Sequence, residues 1–257
     1  MKQKSIEMLT KIKNVFNKAS NMLLEEIYPS KVSCFNCSDE IISDKTNKYH
    51  LCENCLKNIK FIKNPCKKCG EELNEFSSYC ANCKNEKRYF DKVVSVAIYD
   101  GVAKHIVHKF KYGNSKYLSK TIFAFIYEKF LQSDFKDINF IMPVPLSKQR
   151  LKLRGFNQAQ ILSTELSNKT KIEHLEVIKR IKNTPTQTSL TKEERSLNLT
   201  DAFVLEDNLQ VKGKNILIVD DIITTGSTIN ALAKLLKDNG AKHVYGLTFC
   251  HTKNRNV

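Results

Sequence analysis

Residues 216–228, ILIVDDIITTGST, place four apolar residues directly ahead of two acids and then a run of small hydroxyl residues around Gly226. A short, unbroken apolar run of this kind reads as a buried parallel strand, Ile216–Val219. Asp220 and Asp221 then fall at its carboxyl end, the edge where open α/β sheets bind ligands. Thr224, Thr225, Gly226, Ser227 and Thr228 turn into a helix beginning near Ile229, so that backbone N–H groups and hydroxyls surround a phosphate at a helix N-terminus. Gly226 lets the backbone approach closely. The carboxylates are unsuited to that phosphate; they accept hydrogen bonds from sugar hydroxyls or hold Mg2+. Acceptors followed by an anion cradle describe a ribose 5-phosphate group. An acidic turn that merely caps a helix needs one capping residue, where three Thr, one Ser and a Gly are supplied. No Gly-x-x-x-x-Gly-Lys-Ser/Thr or Gly-x-Gly-x-x-Gly occurs, which excludes a P-loop and a dinucleotide fingerprint.

Outward from this stretch, strands are expected at 93–99, 138–144, 175–181, 216–219 and 244–249, with helical patterns near 103–110, 117–132, 156–168 and 227–238. Such alternation argues for an α/β fold with a mainly parallel sheet covered on both faces. Residues 182–200 are polar and Thr-rich and read as a mobile loop. Cys250 lies in an apolar segment and reads as a buried strand residue.

Upstream, residues 34–83 lack long apolar runs and carry four Cys-x-x-Cys knuckles: Cys34 and Cys37, Cys52 and Cys55, Cys66 and Cys69, Cys80 and Cys83. A two-residue gap lets both sulfurs of a knuckle face one tetrahedral ion, and a second knuckle after a short hairpin completes four thiolates. Sequential pairing is simplest, with Cys34, Cys37, Cys52 and Cys55 on one Zn2+ and Cys66, Cys69, Cys80 and Cys83 on the other; an interleaved cross-brace is the alternative. Both ions read as structural, because four thiolates leave no position for water. Disulfides would require an oxidising compartment, and neither an exported leader nor an apolar span of eighteen residues is present. A cytoplasmic protein is expected, the alternative being a peripheral place at the inner face of the membrane. Residues 6–27 repeat apolar positions at helical spacing and read as an amphipathic helix within an N-terminal segment 1–30.

The formal charge is +15. Two four-thiolate zinc sites, each +2 − 4 = −2, leave +11, a balance that favours nucleic acid or a phosphate-rich substrate. Of 42 basic residues six are Arg, and Arg150, Arg154, Arg180 and Arg195 fall within one stretch. Where Lys is the default cation, an Arg marks a need for planar, bidentate contact with phosphate or carboxylate.

The stretch 216–228 resembles the signature of type I phosphoribosyltransferases, which bind 5-phosphoribosyl 1-pyrophosphate. The blocks "NMLLEEIYPSKVSCFNC" (21–37), "AIYDGVAKHIVHKFKYGNSKYLSK" (97–120), "PVPLSKQRLKLRGFNQAQILS" (143–163) and "KRIKNTPTQTSLTKEERSLNLTDAF" (179–203) are further similar to successive blocks of the ComF family of bacterial competence proteins. The resemblance implies a zinc-ribbon domain (31–88) ahead of a phosphoribosyltransferase-like domain (89–257). It implies that Thr224 to Thr228 hold the 5-phosphate and that Asp220 and Asp221 hold the ribose hydroxyls. Ser147, Lys148 and Arg150 would form the pyrophosphate loop, with Arg154 in the same family block, and 182–195 a loop closing over the ligand. Catalysis would rest on Asp220, Asp221 and Arg150 with Mg2+. Single-stranded DNA and a helicase-like competence partner are implied as well.

Overall fold

The computed structural model describes residues 31–42, 47–74, 77–112, 116–181, 202–207 and 210–253. The expected helix over 6–27 and the polar loop 182–200 lie outside them.

The cysteine region contributes the hairpin β1 (Lys31–Ser33) and β2 (Glu40–Ile42) and two short helices, α1 (Glu53–Lys57) and α2 (Ala81–Asn85). Then follow β3 (Lys92–Ile98), α3 (Gly101–Tyr112), α4 (Leu118–Leu131), β4 (Phe140–Pro143), α5 (Lys148–Arg154), α6 (Gln158–Thr170) and β5 (Glu173–His174). The chain ends through β6 (Ile178–Arg180), β7 (Phe203–Leu205), β8 (Asn215–Ile223), α7 (Ser227–Asp238) and β9 (His243–His251). Five strands form one sheet in the order β3-β9-β8-β4-β5, and every pairing in it is parallel.

Both faces of this sheet are covered, which is why its strands read as unbroken apolar runs. Leu217 and Val219 pack with residues of α3, α4 and α6, whereas Ile216 and Ile218 pack with α7 and the β6–β7 ribbon. In α7 the buried residues Ile229, Leu232, Ala233 and Leu236 stand at i, i+3, i+4 and i+7, a single stripe turned to the sheet. The helix after β4 and the helix after β8 therefore lie on opposite faces. Between the carboxyl ends of these neighbouring strands a crevice opens, the switch point at which such sheets bind ligands.

Three expectations change. The strand expected over 175–181 is broken: β5 joins β4 through Phe140↔Glu173 and Ile141↔His174, and β6 leaves to pair antiparallel with β7. Leu175 N–H still donates to Ile141 O at 2.9 Å, whereas Val177 O accepts from Glu206 N–H at 2.8 Å, so the chain changes partner between these two residues. The helix expected over 156–168 begins at Gln158 and is preceded by α5, which ends at Gly155 with φ 75°, the left-handed cap that glycine adopts without strain. Finally, β8 does not stop at Val219. Its partner β9 continues through Asp220↔Thr248, Ile222↔Cys250 and Ile223↔His251, while β4 ends at Pro143↔Val219. The acids thus lie inside a strand that has lost one of its two neighbours.

The cysteine region packs directly on this core. Cys34, Leu51, Cys55 and Ile59 share a cluster with α3 and α4, and Cys66, Cys69 and Cys80 share the other with Phe90 and Val93. Residues 60–70 also cover the exposed edge of β3: Ile62 N–H donates to Val96 O at 3.0 Å and Val93 N–H to Lys68 O at 2.8 Å. An unpaired edge invites foreign strands, and this segment closes it. The approach is tight enough that a Cβ at Gly70, φ 76°, would stand 2.8 Å from Val93 O. Among the described residues no helix is long and apolar enough to cross a membrane.

Candidate functional site

The eight knuckle cysteines form two groups, Cys34, Cys37, Cys52 and Cys55, and Cys66, Cys69, Cys80 and Cys83, the sulfurs of each group all within 4.8 Å of one another. The sequential arrangement is the one adopted. Cys37 and Cys52 sulfurs are 3.7 Å apart and those of Cys69 and Cys80 3.6 Å. A tetrahedron of Zn–S bonds near 2.3 Å has edges of about 3.8 Å, so both sets fit zinc. Backbone N–H groups already point at the ligands, from Cys52 to Cys34 Sγ and from Cys80 to Cys66 Sγ, each at 3.3 Å. Burial pushes Cys34 up, but the N–H groups of Cys37 and Cys52 outweigh it and bring the thiol down to about 7. Burial raises Cys80 to about 12, a shift that a cation at the centre would reverse by stabilising the thiolate. None of the nine cysteines is in a disulfide, and Cys250, fully buried in β9, is the strand residue its surroundings indicated.

At the crevice, Asp221 turns to the α3 side of the sheet, where its Oδ1 meets the Lys111 ammonium at 2.8 Å; the two side chains are only 3% and 15% exposed. Lys111 was absent from the candidates read in the sequence. Its signal was available: α3 buries Ala103, Ile106, Val107 and Phe110, and Lys111, four residues after Val107, falls on that same face. A Lys on a buried stripe needs a partner. Asp220, half-buried, accepts from Asp221 N–H at 2.8 Å. Its carboxyl is raised to about 7, first by burial and then by the charge of Asp221, while Lys111 and Arg154 pull the other way. Arg154 is anchored beside them, donating to Gln158 Oε1 at 3.1 Å and to the Tyr112 hydroxyl at 3.2 Å, with its Nε buried and unbonded among the described residues. The family blocks around Tyr112 and around Arg154 thus meet beside the acidic pair.

Beyond β8, Thr224 and Thr225 are exposed and Gly226, φ 76°, caps α7. Thr225 Oγ1 and Ser227 Oγ bond to each other at 2.6 Å, and Thr228 is half-buried in the first helical turn. The loop stands open at a helix N-terminus one turn beyond the acids, where the dipole favours an anion.

The segment expected as a second phosphate loop is different. Ser147 caps α5, its Oγ accepting from Arg150 N–H at 3.4 Å, and Lys148 and Arg150 lie in that helix, of which no residue is buried. The Ser147 oxygen thus accepts from the helix, and its O–H is left to donate. Lys148 lines a cavity of about 480 Å³ with Pro143, Leu151, Ile178 and Arg180. Burial lowers Arg180, and the Arg150 charge adds to this.

Sheet order, zinc clusters and crevice together define a phosphoribosyltransferase-like protein carrying a double zinc ribbon. A phosphoribosyl transferase domain matches residues 151–256, and a double zinc ribbon domain matches residues 23–84. Because β3 and β4 belong to the same sheet as β8 and β9, the α/β unit begins ahead of residue 151. The chain is 33% identical over 217 residues to competence protein F of Haemophilus influenzae, covering 82% of this chain and 93% of that one. It is 30% identical to DNA utilization protein YhgH of Escherichia coli K12 (79% and 90% covered) and 28% identical to competence protein ComFC of Bacillus subtilis (82% and 90% covered). The chain belongs to the ComF family.

Proposed function

We propose that this protein binds 5-phosphoribosyl 1-pyrophosphate with Mg2+ and acts in the handling of incoming DNA, as the names of its relatives, competence protein and DNA utilization protein, suggest. The observation that carries the reading is the acidic pair, with Asp221 buried against Lys111 and Asp220 half-buried beside it, one turn before an open helix N-terminus rich in hydroxyls. In this reading Thr224, Thr225, Gly226, Ser227 and Thr228 hold the 5-phosphate, and Asp220 and Asp221 the ribose hydroxyls. A carboxyl raised to about 7 by burial is one that a cation would restore to its charged form, so the pair suits Mg2+. When bound there, Mg2+ supplies charge to the leaving pyrophosphate.

The reaction class is displacement at C1 of the ribose. A nitrogen nucleophile forms the new C–N bond and gives up a proton, while the C–O bond breaks and pyrophosphate departs with the electron pair. Positive charge develops on the sugar, and Asp220 and Asp221 are placed to stabilise it. Ser147, Lys148, Arg150 and Arg154 would meet the pyrophosphate, the Ser147 hydroxyl donating while it caps the helix. Lys111 pairs with Asp221 and orients it. Titration of the donor and Mg2+ into wild type and into an Asp220→Ala, Asp221→Ala double variant tests the site: wild-type binding lost in the variant is expected, and equal affinities would remove its basis. Pyrophosphate release from the labelled donor with a panel of bases and oligonucleotides would then identify the acceptor.

A second reading, single-stranded DNA binding beside a helicase-like partner, is favoured by Tyr112 and Tyr117. These rings are 56% and 47% exposed, and the Arg154 guanidinium lies over the first at 5.1 Å. Exposed rings among cations stack bases while lysines meet the backbone. Oligonucleotide affinity should fall steeply with added salt, and a flat response excludes this surface.

A further inference from the structure

The residues that leave the second cysteine cluster are strapped to the start of α7. Asn230, in its first turn, accepts from Tyr89 N–H at 2.7 Å and donates to Lys87 O at 3.4 Å. Arg88 is the residue held between these two bonds. Its side chain is 6% exposed, and its Nη2 pairs with Glu86 at 3.0 Å. Nη1 lies 3.9 Å from where a Cβ on Gly226, the cap of α7, would stand. Nε is buried with no hydrogen-bond partner among the described residues.

This arrangement works against the stability of the empty fold. A helix N-terminus already carries partial positive charge, and a guanidinium beside it has the wrong sign. Burying that group and leaving one of its donors unbonded adds a desolvation cost. Both costs are offset when an anion enters the Thr224–Thr228 loop.

We propose that Arg88 is a positioning residue for a phosphomonoester dianion: delivered by the zinc-ribbon region, it places a fixed positive charge at the floor of the phosphate loop. The inference rests on reading that loop as the 5-phosphate site. It makes the cysteine region more than an edge cover, since the segment leaving Cys83 carries the charge and Asn230 sets its position.

Calorimetric titration of ribose 5-phosphate into the full-length, zinc-loaded protein tests it. Arg88→Gln is expected to weaken binding by at least about tenfold, because the Coulomb attraction of the fixed charge is lost. Arg88→Lys, which keeps the charge, should recover most of this. Glu86→Gln leaves the guanidinium in place and removes the charge opposing it, so it should tighten binding. An ion pair that only holds the fold predicts that Arg88→Gln and Glu86→Gln weaken binding together, and that result would overturn the proposal. Unchanged affinity in Arg88→Gln overturns it as well, while leaving the reading of the site intact. A wild type that binds no ribose 5-phosphate overturns both.

Discussion

The first cysteine cluster draws four thiols from residues 34–55, whereas the acidic site joins Lys111 to Asp221 across 110 residues (221 − 111), with Arg154 from between them. The cluster needs only short loops to close, which costs little chain entropy, and an ion then holds it. The acidic site exists only once β8 has paired with β9 and α3 has packed on the sheet. A locally closed site takes its chemistry from residue spacing, and a site assembled by the fold takes its chemistry from burial. Asp220 shows the second case: no neighbour in sequence other than Asp221 would move its carboxyl toward 7, and burial is the larger cause.

Four measurements would break or sharpen that contrast. The largest effect is expected at the local site. Cys66→Ser should reduce zinc from two ions to one per chain and lower the melting temperature by roughly 10 °C or more, because the ion's binding energy is folding energy; metal analysis and calorimetry read both, and two retained ions would end the sequential assignment. Phe249→Ala, at the centre of the sheet with no exposure, should cost about 4 kcal/mol in urea unfolding while zinc content stays unchanged. Joint loss of zinc would show that the cluster depends on the fold after all.

Lys111→Met leaves the buried Asp221 carboxylate without its partner and should cost about 3 kcal/mol. Lys111→Met combined with Asp221→Leu should recover most of it, and failure to recover would mean that Lys111 matters through something other than this pair. Asp220→Asn carries the smallest effect and the opposite sign. Because the folded carboxyl titrates near 7 instead of 3.8, the native protein keeps a proton that the unfolded chain has released, and stability falls as pH rises from about 4 to about 7. Removing the charge should therefore stabilise the protein at pH 8 by about 1–2 kcal/mol, an advantage that vanishes near pH 4, while donor affinity drops. Urea unfolding across this pH range checks the sign.

Much of this molecule was legible in its residue order. Knuckle spacing yielded both cysteine sets, apolar runs yielded the parallel strands, and α7 lies over the residues its pattern indicated. The misreadings share one cause. The end of β8 depends on how far β9 and β4 extend beside it, and the split between β5 and β6 depends on which strand takes up each residue's hydrogen bonds; neither quantity is carried by the segment itself. Helix α5 was not among the expected helices, because it buries nothing and so has no apolar period to betray it. Lys111 and Arg88 escaped for a related reason, since a cation is recognised as part of a site only through the partner it faces.

The amino-acid order alone determined the fold class, the double zinc ribbon and the hydroxyl-rich turn after two acids, because each is encoded over a few residues by spacing, period or backbone freedom. Tertiary structure alone decided that Lys111 would neutralise Asp221, that Asp220 would hold its proton to about 7, and that a guanidinium from the cysteine region would come to rest under Gly226. Those outcomes depend on Coulomb energy and desolvation between groups far apart in the chain, and both take their values only when the sheet has brought the groups together and excluded water.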